Sequence, residues 1–377
     1  MLRTELALDP KLMAAIRAPF EAFGGAVVDA PVLQPLSLLL DLAGETMRAR
    51  LYVVQGEGAA EQALRPDFTI PVVQNHIASG AAKGRYRYEG KAFLVAERGS
   101  QHPTEFLQIG AELFGIGDDP WADDAVIAAL AWSAAKAGGR DDLSMRLGDP
   151  GLFSGFLGAL GLPQSTRQRL SRAFHSQRAL TAELERAGLD APDDRHARLA
   201  GLLGGLPESE ASGVLEELWR LSGIQPVGGR SATEIIQRLA ARAEAAQAPR
   251  LTPAERDLIS RFLSLTDQPE AVLDAVQSLA REAGGMMDPL IEAWRRRLKA
   301  LDAHGVPMSA LTLTTAYIRP FGYYDGMLFE ILSAGLENDQ PVAGGGRYDG
   351  VPARLGGRAG AVGCMVRPSR VARGAGL

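Results

Sequence analysis

Apolar residues recur with a helical period in some stretches of this chain and alternate with polar ones in others, and the order of those stretches predicts its organisation. Asp9-Pro10 is a helix-start signal, and the apolar positions that follow keep helical spacing to Phe23, where Gly24 and Gly25 stop it. AVVDAPVLQP predicts a short strand ending at Pro31. Arg50 to Gln55 predicts another, followed by an acidic loop and a tight turn at RPDFT, Arg65 to Thr69. RYRYEGKAFLVAE and EFLQIGAELFG both alternate, and the loop ERGSQHPT between them makes them an antiparallel pair. Trp121 to Gly138 predicts an alanine-rich helix, LSMRLGD a strand, and GLFSGFLGALGL a further helix.

From Ser165 to His304 the pattern is helix after helix. Ser231 with Glu234, and Thr252 with Glu255, place a capping hydroxyl three residues before an acid that reaches back to it. Ile235 and Leu239, Val272 and Val276, then Leu290, Trp294, Leu298 and Leu301 mark the buried faces. Strands return in ALTLTTAYI, MLFEILSAG, QPVAGGGRYDG and GAVGCMV. The expected fold is α+β: an antiparallel sheet flanked by helices, begun by residues 1–164, interrupted by a mainly helical insertion at 165–305 and completed by 306–377.

Composition removes several classes of function. The 377 residues are 46% apolar, enough for a large core, and 40 basic against 45 acidic residues give a net charge of -5. No Lys/Arg stripe follows a predicted helix face, so an extended nucleic-acid surface is not expected. The single cysteine, Cys364, cannot form an internal disulfide and reads as a small buried hydrophobe in a reducing, cytoplasmic setting. The N-terminal segment lacks a secretory pattern, and no run of about 18 apolar residues predicts a membrane span. The five histidines, His76, His102, His175, His196 and His304, lack metal-ligand spacing, and no GxSxG, Walker or dinucleotide motif occurs, so no metal or cofactor is expected. Arg295-Arg296-Arg297 is read as a solvated helix face or a docking patch.

Three strings carry a resemblance. RPDFT, the pair RYRYEGKAF and EFLQIGAELFG, and YIRPFGYYDGMLFE with VAGGGRYDG resemble motifs of the class II histidyl-tRNA synthetases in the same order, and the likeness runs from about Met13 to Val366. It implies the class II synthetase-like antiparallel sheet and a pocket for histidine. By resemblance Asp67 and Thr69 meet the amino group, Glu112 an imidazole N–H, and Arg319 a carboxylate or acyl phosphate, while Tyr323, Tyr324 and Tyr348 close the pocket. Gln108 and Glu112, four residues apart on one strand, share a face. They and the tyrosines either receive a ligand or satisfy one another as a polar core.

The departures from that family carry as much weight. Active synthetases begin their second motif Phe-Arg-x-Glu; here Phe93 is followed by Leu94, Val95 and Ala96. Loss of one such charge-stabilising donor costs about 3–4 kcal/mol of transition-state binding. Gln101, His102 and Thr104 stand where the synthetases carry arginines, and Gly322 replaces an aspartate. Arg370 matches the arginine of the third motif by count, but Pro368 disfavours helical geometry at Arg367. The anticodon-binding domain that follows in the synthetases is not expected. The whole resembles non-catalytic paralogues of histidyl-tRNA synthetase that act as regulatory subunits of ATP phosphoribosyltransferase. That resemblance implies a short-form catalytic partner, a homodimer within a hetero-octamer made through the N-terminal helix and first strand, and feedback by L-histidine. Two readings remain beside it: an active histidyl-tRNA synthetase-like adenylating enzyme, and a histidine-sensing adaptor of another partner.

Overall fold

The computed structural model describes residues 5, 8–56, 60–96, 102–115, 119–186, 210, 213–214, 217, 251–317, 322–337, 340–358 and 360–372. Two compact units divide the chain: residues Met1–Ala159 with Ser260–Leu377, and residues Leu160–Ile259.

The first unit is built on a nine-stranded sheet. Its strands are β1 (Ala26–Val27), β5 (Gly84–Phe93), β6 (Glu105–Phe114), β7 (Leu143–Gly148), β8 (Thr266–Asp267), β9 (Leu311–Thr314), β10 (Leu328–Ser333), β11 (Ala343–Arg347) and β12 (Ala361–Val366). They lie in the order β1-β5-β6-β12-β11-β10-β7-β9-β8. All neighbours are antiparallel except β1 with β5 and β7 with β9. The alternating pair foreseen at RYRYEGKAF and EFLQIGAELFG is the long β5–β6 ladder, running from Gly84↔Phe114 to Phe93↔Glu105. β12, from the far end of the chain, closes on β6 with Glu112 opposite Gly363. Both ends of the chain therefore complete one sheet, as their alternation requires.

A small sheet of β2 (Leu33–Pro35), β3 (Val53–Val54) and β4 (Gln62–Leu64) takes up the rest of the early strand signals. The strand expected to end at Pro31 is thus two short pieces, and Arg50 closes a 3-10 turn, Glu45–Arg50, instead of opening a strand. Helix α2 (Leu36–Ala43) and helix α3 (Thr69–Ser79) contribute Leu36, Leu39, Val72 and Val73 to a core shared with Phe68, Tyr86, Tyr88 and Phe114 of the sheet face above them.

The opposite face is covered by α1 (Pro10–Phe23), capped by the Asp9 side chain on Lys11 N, and by α4 (Pro120–Ala137). α4 packs on β11 and β12, and its alanines let it come close enough to be buried along most of its length. α5 (Pro150–Ala159) follows β7.

In the second unit, α6 (Gln164–Phe174) and α7 (Gln177–Arg186) pack together with an Arg169–Glu183 ion pair at 2.8 Å. The capping box before α8 (Pro253–Leu263) forms as read: Glu255 Oε2 accepts from Thr252 N at 2.7 Å, and Thr252 Oγ1 accepts from Glu255 N at 3.2 Å. The corresponding signal at Ser231 and the pair Ile235 and Leu239 lie outside the described residues.

Helices α9 (Pro269–Glu282) and α10 (Asp288–Ala303) rejoin the first unit and bury Val272, Val276, Trp294, Leu298 and Leu301, with Leu290 half-buried. Two short helices finish the chain, α11 (Gly350–Arg354) and α12 (Pro368–Ala372).

The arginine run on α10 is solvated at Arg296 and partly at Arg295, but not at Arg297. Arg295 is ion-paired with Glu270, Asp274 and Glu292, and Arg297 is buried against Asp124 of α4 at 2.7 Å. Helical periodicity places Arg297 three positions after the buried Trp294, on the inner side.

Candidate functional site

The site grows out of the RPDFT turn. Arg65 is its anchor: Nε donates to Lys91 O at 2.9 Å, Nη1 donates to Ala30 O, and the guanidinium lies 4.1 Å above the Phe68 ring. With the turn fixed, Asp67 Oδ1 accepts from Thr69 N at 3.2 Å, and Oδ2 accepts from the Tyr323 hydroxyl at 2.8 Å. Thr69 opens α3 and its Oγ1 donates to Glu112 Oε1 at 3.0 Å. The Tyr348 hydroxyl, just beyond β11, donates to Glu112 Oε2. A continuous chain, Tyr323–Asp67–Thr69–Glu112–Tyr348, so links four segments that are distant in sequence.

Strand periodicity and glycine make room for it. Gln108, Gly110 and Glu112 point the same way from β6, toward Tyr86 and Tyr88 of β5. Opposite Glu112, a Cβ on Gly363 would sit 1.4 Å from Oε2; opposite Tyr88, a Cβ on Gly110 would sit 2.2 Å from the hydroxyl oxygen. Glycine is required at both places because the carboxylate and the phenol occupy that space. Tyr88 stacks on Phe68 with centroids 4.4 Å apart. Asp67, Thr69, Gln108, Glu112, Tyr323 and Tyr324 line a cavity of about 30 Å³, closed to the size of a water or two. Tyr348 stands behind it, holding Glu112. Gln108 Oε1 is buried without a hydrogen-bond donor.

Among the described residues, no Lys, Arg or His lines this cavity. Burial therefore pushes the Glu112 carboxyl up to about 8, against the opposing hydrogen bonds from Tyr348 and Thr69, and the nearby Asp67 charge adds to the rise. Burial likewise holds the Tyr323 and Tyr348 phenols well above their ordinary range, so both act as neutral donors. Among its described residues the cage holds acids and neutral donors, which a ligand that brings a cation or donates N–H groups would suit.

At the other end of the β5–β6 pair, the three residues after Phe93, Leu94, Val95 and Ala96, carry no charge. Leu94 N donates to Thr104 O at 3.0 Å, Val95 N donates to Arg50 O at 2.9 Å, and Leu94 packs against the front core.

A family model described as histidyl-tRNA synthetase matches residues 1–211 and 210–371. The ATP phosphoribosyltransferase regulatory subunit of Mesorhizobium japonicum is 36% identical over 355 residues, 93% of this chain and 92% of that one. The protein of the same name from Brucella anthropi is 34% identical over 346 residues, 91% of this chain and 90% of that one. The chain belongs to the ATP phosphoribosyltransferase regulatory subunits, within the histidyl-tRNA synthetase family. Solved structures agree on the fold. An ATP phosphoribosyltransferase regulatory subunit/histidyl-tRNA synthetase from Bacillus halodurans superposes with a TM-score of 0.65 at 17% identity, covering 100% of this chain and 82% of its own. A histidyl-tRNA synthetase from Nostoc gives 0.60 at 15%, covering 98% and 75%.

In this regulatory-subunit chain the residues singled out from sequence come together, with one exception: Arg319 lies outside the described residues. Arg370 does not line the pocket. Pro368 starts α12 as its first residue, which turns Arg370 so that Nη1 donates to Pro341 O at 2.9 Å. Sequence reasoning missed Arg367 and Glu5. Arg367 follows β12 directly, its guanidinium lies 3.4 Å from the Phe106 ring centroid, and burial pulls its pKa down to about 9. Glu5 Oε2 accepts from Leu107 N at 2.9 Å, and Oε1 accepts from Ser369 Oγ and, at 3.5 Å, from Arg367 Nη2. Alternation in GAVGCMVR was the available signal for Arg367, since it keeps Gly363, Met365 and Arg367 on one face. Glu5 gave none. No group of three or more His, Cys, Asp or Glu that could hold a metal occurs among the described residues, and no helix there is long and apolar enough to cross a membrane.

Proposed function

We propose that the chain is the non-catalytic regulatory subunit of an ATP phosphoribosyltransferase, working with a short-form catalytic subunit in the first step of histidine biosynthesis, in the cytoplasm. The observation that carries this reading is the contrast along one strand pair: an intact polar cage around Glu112, and apolar Leu94, Val95 and Ala96 where a triphosphate would need cations. The cage takes L-histidine. Asp67 and Tyr323 receive the amino group, Glu112 the imidazole, and Gln108 Oε1 gains the donor it lacks. Entry moves Tyr323 and Tyr324 of the wall outward, because the cavity of about 30 Å³ is too small for histidine. Opening on binding is a two-state change of the kind feedback inhibition needs.

The homodimer forms through α1, β1 and the small sheet, where Val27 is 69% exposed and Val32, Leu33, Val53 and Val54 are also solvent-facing. A hetero-octamer with the catalytic subunit is built on that dimer. Mixing the purified chain with a short-form catalytic subunit should raise phosphoribosyl transfer to ATP and yield one co-migrating complex. Histidine should bind the isolated chain by calorimetry and bind Glu112→Ala at least tenfold more weakly. Histidine-dependent exchange of pyrophosphate into ATP by the chain alone would overturn the non-catalytic assignment. Equal histidine affinity in Glu112→Ala would remove this pocket as the site.

A further inference from the structure

A second pocket lies where the last turns of α4, the start of β7 and the turn before β9 meet. It is a cleft of about 330 Å³, at the small end of the range occupied by small-molecule sites. Trp132, Lys136, Arg140, Asp141, Pro307 and Ser309 supply most of its wall.

Its polar groups are mismatched in one direction. Arg140 is 1% exposed and rigidly held: Nε donates to the carbonyls of Arg370 and Val371, each at 3.0 Å, and its other nitrogens reach Ser333 Oγ and Arg370 O. Those partners are neutral. Its one carboxylate neighbour, Asp142, stands 3.8 Å away and is itself engaged by Ser333 Oγ and by Gly335 N at 2.8 Å. The Arg140 charge is therefore fixed in position and only partly compensated. Trp132 is 5% exposed, and its indole Nε1–H is buried with no acceptor, a donor whose desolvation nothing offsets. Lys136, exposed at the end of α4, has no ion-pair partner among the described residues. Against these stands one wall carboxylate, Asp141, on the solvent side. Two cationic residues and a tryptophan with an unpaired N–H in the wall of one cleft, with a hydroxyl at Ser309, match an acceptor-rich negative group.

We propose that this cleft binds a small organic anion through its carboxylate or phosphate group, with Lys136, the indole N–H of Trp132 and Ser309 as donors and Arg140 as the fixed charge behind them. It shares no residue with the pocket around Glu112, and histidine binding neither requires nor excludes it.

The chain has four tryptophans, so the indole N–H signals of the ¹⁵N-labelled full-length protein are few, and Trp132→Phe assigns the relevant one. Benzoate and phenyl phosphate serve as probes, with benzyl alcohol as the neutral control. At least one anion should move the Trp132 signal saturably while benzyl alcohol leaves it in place, and which anion does so distinguishes carboxylate from phosphate ligands. Lys136→Met should weaken that binding about tenfold. Should Trp132→Phe fail to fold, Lys136→Met and Ser309→Ala, both at exposed positions, carry the test by calorimetry. No saturable response to either anion, an equal response to benzyl alcohol, or unchanged affinity in Lys136→Met would each overturn the proposal.

Discussion

Two fully buried carboxylates on opposite faces of the same sheet have opposite surroundings. Asp124, on α4, sits between two guanidinium groups: Arg297 Nη2 at 2.7 Å, and Arg347 Nη2, whose Nη1 also holds Asp349 at 3.2 Å. Glu112, on β6, has the hydroxyls of Thr69 and Tyr348 as its side-chain partners among the described residues. Burial pushes the carboxyl of Glu112 up to about 8, and its two neutral donors offset that rise only in part. A carboxylate enclosed by arginines is a structural tie with nothing left to offer a ligand. One enclosed by hydroxyls, beside an unpaired Gln108 oxygen and a small cavity, is a site that a cationic or N–H-rich ligand completes.

The sharpest way to break this comparison is to remove each acid in turn. Asp124→Ala leaves two buried guanidinium groups facing each other and should cost about 3–5 kcal/mol in urea unfolding, while histidine affinity of the folded fraction stays unchanged. Glu112→Gln should do the reverse, removing most histidine binding while leaving the chain folded.

The same pair of proteins separates by pH. The folded state of the native chain holds the Glu112 proton more tightly than the unfolded chain does. Its contribution to stability is therefore full below about pH 4.5 and is lost as pH rises through about 8. Glu112→Gln has no such proton to lose, so its stability relative to the native chain should climb across that window in denaturant titrations. Equal pH profiles would mean that Glu112 is already ionised and compensated.

A smaller effect is expected from Tyr348→Phe, which removes one of two hydroxyl donors to Glu112: about 1 kcal/mol of stability, read from the same titrations, with Thr69 still in place. Smallest is Thr252→Ala, at the capping box before α8. It should cost about 1 kcal/mol or less and leave both carboxylates and histidine binding untouched.

Much of the polar cage was legible because its members obey local rules. Period two aligns Gln108 with Glu112, and the glycines of VAGGGRYDG and GAVGCMV mark strands that something bulky crosses closely. The same rules misjudged cations whose roles depend on distant partners. Arg297 reads as part of a solvated run and is buried on Asp124, 173 positions away in sequence. Arg370, which matches a pocket arginine by count but follows Pro368, bonds to Pro341. Arg65, to which the sequence reading gave no role, holds the RPDFT turn together.

By itself, then, the sequence determined the strand and helix periods, the shared face of Gln108 and Glu112, and the apolar Leu94-Val95-Ala96 after Phe93. Only the tertiary structure decided which charges are neutralised. Ion pairing depends on a few ångströms between side chains brought together from segments far apart in the chain, and a long flexible arginine carries no local periodicity to announce the carboxylate or carbonyl it will reach. Glu112 is a candidate site because the fold set the hydroxyls of Thr69 and Tyr348 around it, while Arg297 and Arg347 went to Asp124.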